Sequence, residues 1–95
     1  MLNTAHIESI AKEAATAHIS PQLVVRVVGE AIVDAQGADA LRITVVVAPS
    51  AVDSITGDDA LNALVEVQRR LEQAGESRFA LIDYATEAEL ADVGD

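Results

Sequence analysis

The sequence predicts an α+β fold, a two-layer sandwich in the order α-β-β-α-β(-α) with a three-stranded mixed sheet. Three patterns predict it: apolar residues at helical spacing near the start, two segments that alternate with a period of two, and a second amphipathic helix followed by a short apolar segment. A chain of 95 residues has the length of one domain, so we expect residues 1–95 to form a single α+β domain.

The first half of the chain predicts a helix and a β-hairpin. Apolar residues recur on one helical face over residues 4–18, and Pro21 ends the pattern. Residues 23–33 and 41–48 are predicted strands, joined by a glycine-containing turn, whose odd-numbered apolar side chains face the core. Gly29 lies in the middle of the first strand, which indicates a β-bulge or the close approach of a helix.

The second half begins with a predicted loop at residues 50–55, followed by a long helix. Thr56 has the right offset to cap this helix, and Gly75 is well placed to end it after about residue 74. The apolar side chains expected on its buried face include Leu61, Leu64, Val67 and Leu71.

A third strand and a short final helix complete the chain. Residues 78–84 are the third predicted strand. From Phe79 onward it is apolar on both faces except at Asp83, so we expect this strand to be central in the sheet. Thr86 and Glu89 have the spacing of a capping box at the start of the last helix. The long helix between strands two and three favours a parallel pair with a right-handed crossover.

All helices are expected on one face of the sheet, which leaves the other face open. A partly apolar open face is a place to look for a partner or for self-association. The residues that the alternation assigns to it are Arg26, Glu30, Arg42, Thr44, Val46, Ala80, Ile82 and Tyr84.

The balance of charge excludes several classes of function. There are 16 acidic and 6 basic residues, a formal net charge of -10, so we expect no binding to nucleic acid or to anionic membranes. The chain has no cysteine, which excludes disulfides and thiolate metal sites. The first residues have no signal-peptide pattern and no apolar run is long enough to span a membrane, so we expect a cytoplasmic protein.

The sequence predicts no catalytic, cofactor-binding or metal-binding residues. Its serines form no nucleophile pattern, and the single glycine before Asp58 lacks the rest of a phosphate-binding loop. Asp53, Asp58 and Asp59 are interpreted as residues that stabilise a helix start, with cation binding as the open alternative.

The basic residues of the second half are interpreted as partners of nearby carboxylates rather than as an anion site. They are Arg69, Arg70 and Arg78, and the carboxylates are Glu66, Glu72 and Glu76.

The acidic C-terminal segment is the predicted partner-binding surface, with Asp83, Tyr84, Glu87, Glu89 and Asp92 as its residues. The predicted function is a non-enzymatic protein-interaction module, an accessory subunit or an antitoxin- or immunity-like neutraliser of a basic partner. Two alternatives are an enzyme that uses clustered carboxylates, metal-dependent or acid–base, and a structural homodimer.

The C-terminal half resembles a group of small acidic bacterial proteins without assigned function. The resemblance runs from TGDDAL at 56–61 through RF at 78–79 to YATEAEL at 84–90, and it implies no catalytic residues. The predicted topology is also similar to KH-like RNA-binding folds, but the Gly-x-x-Gly loop of that family is absent and the charge has the wrong sign.

Overall fold

The structure, a computed structural model, describes residues 2–93 and has the predicted α+β order of elements. Within that range, none of the helices combines the length and apolar character that a membrane-crossing helix requires. A short 3-10 helix, Pro21–Leu23, precedes the first strand. The other elements are α1 (Thr4–Thr16), β1 (Val24–Val33), β2 (Asp39–Val47), α2 (Ala51–Ser54), α3 (Gly57–Gln73), β3 (Phe79–Ala85) and α4 (Glu87–Val93).

The segment expected to be a loop contains the one-turn helix α2, so that expectation is wrong. The backbone N–H of Ile55 donates to the carbonyl of Ala51 at 2.9 Å, and the hydroxyl of Ser54 donates to the carbonyl of Ser50 at 3.0 Å. Ala51 is fully buried, and its burial holds the turn against the body of the domain.

The sheet is mixed, as predicted, with the order β1-β2-β3. β1 pairs antiparallel with β2, and β2 pairs parallel with β3, from Ala40 beside Phe79 to Val46 beside Ala85. The expectation that β3 is central is wrong, because the hairpin occupies one edge of β2 and the crossover brings β3 to the other. β3 is apolar on both faces because its face away from α1 and α3 carries Phe79 and Leu81, which remain 63% and 40% exposed.

The register also corrects the predicted open face. Residues directly opposite each other in a sheet point to the same side. Leu41 lies beside Ala80, and Val45 lies beside Tyr84. Ala80, Ile82 and Tyr84 therefore face the helices and not the open side. The β3 residues on the other face are Phe79, Leu81, Asp83 and Ala85, opposite Ala40, Arg42, Thr44 and Val46 of β2. Val46, which the sequence assigns to the open face, lies on that face but is fully buried.

A β-bulge near the start of β1 changes which of its side chains are buried. Val24 pairs with Val47, but Arg26 pairs with Val46, so Val25 is an extra residue. Val24 is therefore buried and Val25 is 49% exposed, and the assignment of Val25 to the core is wrong. Val33, at the end of the strand, is also exposed.

Gly29 marks the close approach of α1 and not a bulge. A Cβ atom at this position would lie 3.3 Å from Cγ of Glu8 and 3.6 Å from Cγ2 of Ile7. The backbone N–H of Gly29 donates to Oε2 of Glu8 at 2.8 Å, so a helix side chain satisfies a backbone donor of edge strand β1.

The core lies between the sheet and the helices α1 and α3. Its central cluster joins Ile7, Leu41, Ile43, Val67 and Leu71 with three alanines of α1 and β3. Ala11 and Ala14 have no exposed surface, and such small side chains allow α1 to lie close to the sheet. On α3, Leu61 is 59% exposed, so its assignment to the buried face is wrong.

Glu76 and Arg78, in the segment between α3 and β3, form a buried ion pair that also binds the backbone of Leu2. Nε of Arg78 donates to Oε2 of Glu76 at 2.8 Å, and Glu76 is 2% exposed. Oε1 of Glu76 accepts the backbone N–H of Leu2 at 2.9 Å, and Nη2 of Arg78 donates to the carbonyl of Leu2 at 3.2 Å. The bonds from Arg78 hold the pKa of Glu76 far below its usual value.

Replacing Gly75 by alanine is expected to destabilise the fold by about 1 kcal/mol, because Gly75 has φ of 95° just after α3. Gly57→Ala is the matched control. It lies at the start of α3 with no atom within 4 Å of an added Cβ, and the change should stabilise by about 0.5 kcal/mol. Urea unfolding measures both, and equal effects of the two changes would contradict the expectation.

Candidate functional site

The carboxyl ends of the parallel strands β2 and β3 meet at one edge of the sheet. Val46 lies beside Ala85 there. The segments that follow the two strands lie around this edge: α2 and the start of α3 follow β2, and α4 follows β3. In open sheets with parallel strands, ligands bind outside these carboxyl ends. The topology therefore indicates this edge as the place to look for a binding site.

A pocket of about 360 Å³ lies at this edge. Its walls are mainly aliphatic, which is typical of sites that bind apolar groups. The lining residues are Val47, Ala51, Val52, Ile55, Thr56, Gly57, Ala60, Tyr84, Ala85 and Glu89.

Tyr84 forms the wall of the pocket between β3 and α3. Its hydroxyl donates to the carbonyl of Ala60 at 3.1 Å, and burial raises the pKa of Tyr84 above its ordinary value. The phenol therefore stays uncharged at neutral pH and remains a hydrogen-bond donor. This bond positions the ring against the start of α3.

The start of α3 forms a second wall, and its cap is the one that the sequence predicts. The hydroxyl oxygen of Thr56 accepts the backbone N–H of Asp59 at 3.0 Å, and Asp58 and Asp59 lie in the first turn. Their negative charges complement the positive end of the helix. Among residues 2–93, no group of three or more acidic or histidine side chains is arranged to hold a metal ion.

The start of α4 forms the third wall through a capping box. Oε1 of Glu89 accepts the backbone N–H of Thr86 at 2.9 Å and its hydroxyl at 3.1 Å, and the hydroxyl oxygen of Thr86 accepts the N–H of Glu89 at 3.3 Å. The predicted pairing of these residues is confirmed. One carboxylate oxygen of Glu89 is thus committed to the cap.

The five predicted partner-binding residues divide between two sides of the molecule. Tyr84 and Glu89 line the pocket. Asp83 lies on the open face of the sheet, where its Oδ2 is 3.7 Å from Nε of Arg42. Oε1 of Glu87 is 2.8 Å from Nη2 of Arg26. The side chain of Asp92 lies outside the described part of the structure.

Sequence reasoning missed the wall that α2 supplies. Val52 and Ile55 line the pocket although they belong to a segment expected to be a loop. The signal that would have found them is the pair of large aliphatic residues in an otherwise small and polar stretch. Val52 is 66% exposed, so its side chain is available for contact with another molecule.

Every arginine lies within ion-pair distance of a carboxylate. Beside the pairs of Arg26 and Arg42, Arg69 and Arg70 both contact Glu66. The hydrogen bond from Arg70 is the main cause that lowers the pKa of Glu66. Arg78 forms an ion pair with Glu76. The prediction that Arg69, Arg70 and Arg78 pair with nearby carboxylates is therefore confirmed, with Glu66 and Glu76 as the partners.

The excess of negative charge consequently resides on other carboxylates. In the part of the chain that the structure describes, these have no basic group within 4 Å. The exposed members of this set are Glu13, Glu30, Asp39, Asp53, Asp58, Glu72 and Glu89. Two of them, Asp53 and Asp58, directly follow pocket-lining residues in the sequence.

Comparison with known proteins gives no match to a family model, to a curated protein or to a solved structure. The resemblance of the C-terminal half to small acidic bacterial proteins stays a prediction.

Proposed function

We propose that this chain is a non-enzymatic protein-interaction module that binds a partner with a basic surface, as an accessory subunit or as a neutraliser of that partner. The observation that supports the proposal is the distribution of charge. All five arginines already have carboxylate partners, so the excess negative charge behind the formal net charge of -10 lies mainly on carboxylates without a basic partner. The exposed ones among residues 2–93 are available to another molecule.

The electrostatic field of this acidic surface attracts a basic partner before the two proteins touch. Uncompensated carboxylates attract a basic protein over distances of about 10 Å and raise its association rate, and dissolved salt screens this attraction. The arginine side chains lie beside carboxylates that offset most of their positive charge at short range, with Arg69 and Arg70 sharing Glu66. We propose the cytoplasm as the location, a reducing compartment that suits a chain without cysteine.

The expected result of a binding experiment is a strong dependence on salt. The purified chain is used to isolate partners from extract of its own cell at 50 mM NaCl, and each partner is then purified and titrated at 50 and 500 mM NaCl. The dissociation constant should rise about tenfold or more, because opposite charges attract less at high ionic strength. The partner should carry an excess of lysine and arginine.

Two variants with opposite expected effects serve as controls. Glu13→Gln combined with Glu72→Gln removes two exposed negative charges and should weaken binding at low salt. Lys12→Gln makes the net charge more negative and should strengthen it slightly. An acidic partner, or a dissociation constant that is the same at both salt concentrations, would contradict the proposal.

A further inference from the structure

We propose that the pocket at the carboxyl ends of β2 and β3 binds one apolar side chain of the basic partner, from a segment in which lysine or arginine residues flank it. This inference rests on the proposed function and adds the place and the chemistry of recognition. The occupant is a segment of another protein, aliphatic at its centre and positively charged on both sides.

The walls of the pocket are mainly aliphatic. Val47, Ala51, Val52 and Ile55 present aliphatic side chains toward one volume of about 360 Å³. Val52 is 66% exposed, so contact with an apolar group would remove its surface from water. Burial of aliphatic surface is favourable in proportion to its area. The pocket therefore favours a leucine-, isoleucine- or valine-like group.

The rim of the pocket is the set of carboxylates that belong to its lining residues or directly follow them in the sequence. Asp53 follows Val52 and Asp58 follows Gly57; both are exposed, and neither lines the pocket itself. Within residues 2–93, neither has a basic group within 4 Å. Glu89 adds a third carboxylate and lines the pocket itself. Positive charges beside the inserted side chain would meet these carboxylates, so charge complementarity selects a basic segment.

An anionic ligand is disfavoured at the same place. The start of a long helix ordinarily attracts anions, but the first turn of α3 already contains Asp58 and Asp59. These carboxylates satisfy the positive end of the helix and would repel a second negative group. The tyrosine hydroxyl that faces this region is also committed, as a donor to the carbonyl of Ala60.

The experiment uses three blocked pentapeptides and the natural fluorescence of the chain. Tyr84 is the only tyrosine, there is no tryptophan, and its ring lines the pocket. The first peptide has leucine flanked by two lysines on each side, the second has glycine in place of leucine, and the third has glutamates in place of the lysines. Each is titrated to millimolar concentration while tyrosine emission and amide chemical shifts are recorded.

The expected result is that the leucine–lysine peptide changes the emission of Tyr84 and shifts the amides of Val52 and Ile55. It should bind about tenfold more tightly than the glycine–lysine peptide, a factor within what burial of one leucine side chain provides. The glutamate peptide should produce no change, because its charges repel the rim.

Matched variants separate the pocket from the rim. Val52→Ser should abolish the advantage of leucine over glycine. Val65→Ser is the control, because Val65 is similarly exposed at 55% but does not line the pocket, and it should leave that advantage unchanged. Asp53→Asn should weaken both lysine peptides alike. Circular dichroism and urea unfolding of each variant show that the fold is intact.

The outcomes distinguish this inference from the function on which it rests. If both lysine peptides bind equally, or if the shifted amides lie away from the pocket, the inference is wrong and the basic partner binds elsewhere. If no peptide binds while a purified basic partner binds with the expected salt dependence, the pocket is likewise not the recognition site. If the glutamate peptide binds as tightly as the leucine–lysine peptide, both proposals are wrong.

Discussion

Replacing Glu76 by glutamine is expected to destabilise the fold by about 3 kcal/mol, since removing one partner of a buried ion pair leaves the other charge without compensation. Arg78 would remain, with 11% of its side chain exposed, beside an amide that cannot neutralise it. The amide would also be a weaker acceptor for the backbone N–H of Leu2. A domain of this size has a total stability of about 5–15 kcal/mol, so the loss is a large fraction.

Urea unfolding at pH 7 measures this effect, with Glu72→Gln as the control. Glu72 is exposed, lies in the last turn of α3 and makes no ion pair within the described residues, so its change should cost less than about 0.5 kcal/mol. Equal losses for the two variants would show that the ion pair contributes nothing to stability.

The same carboxylate also predicts a dependence of stability on pH. The pKa of Glu76 is lowered in the folded protein from its ordinary value of 4.5, so the unfolded chain binds a proton first as the solution is acidified. The contribution of Glu76 is therefore complete well above pH 4.5 and is lost as the pH falls below that value. The wild-type chain should lose more stability than Glu76→Gln between pH 6 and pH 3, and the stabilities should converge in acid.

Leu71→Ala is expected to have an effect of similar size for a different reason. Leu71 is 1% exposed and belongs to the central core cluster with Ile43 and Val67. Its truncation removes buried methyl groups and leaves a cavity, which costs about 2–5 kcal/mol.

Leu61→Ala on the same helix is the matched control, because Leu61 is 59% exposed. It should change stability by less than about 0.5 kcal/mol. The measurement is the free energy of unfolding in urea, with the slope of the transition checked for each variant. Similar losses at the two positions would mean that α3 does not present the buried face that the structure gives it.

The order of elements could be predicted because each depends on local chemistry. Thr56 and Thr86 begin helices by capping backbone N–H groups, and Gly75 ends one by adopting a left-handed conformation. The position of β3 at an edge could not be predicted from its composition. Phe79 and Leu81 look like residues of a doubly covered strand, yet only the pairing of strands decides which face is covered.

The orientation of side chains in the strands depends on a β-bulge and on strand register, and the alternation of apolar and polar residues indicates neither. One extra residue at Val25 shifts the register of β1 by a position, and this reverses the burial of Val24 and Val25. The predicted face of β3 is wrong because the register of its pairing with β2, which places Ala80 beside Leu41, decides which side chains face the helices. The hydrophobic pattern alone allowed either orientation.

The candidate site was only partly accessible to sequence reasoning. Tyr84 and Glu89 belong to the acidic C-terminal segment that the sequence predicts to bind a partner, and they do line the pocket. The sequence does not predict Val52 and Ile55 for the site, since they are more than 25 residues away along the chain and reach it only through the parallel pairing of β2 with β3. The sequence shows which residues are charged, but only the fold shows which separate segments come together to form the pocket.

The parallel pairing of β2 with β3 has a consequence for how this domain forms. The hairpin of β1 and β2 closes a short loop. The contact between β2 and β3 closes a much longer loop that contains α3, and contacts over such long sequence separations form more slowly. The pocket needs residues on both sides of that late contact, so it does not exist in species where β3 is undocked. Any molecule that occupies it should slow hydrogen exchange in β3 and raise the melting temperature through mass action.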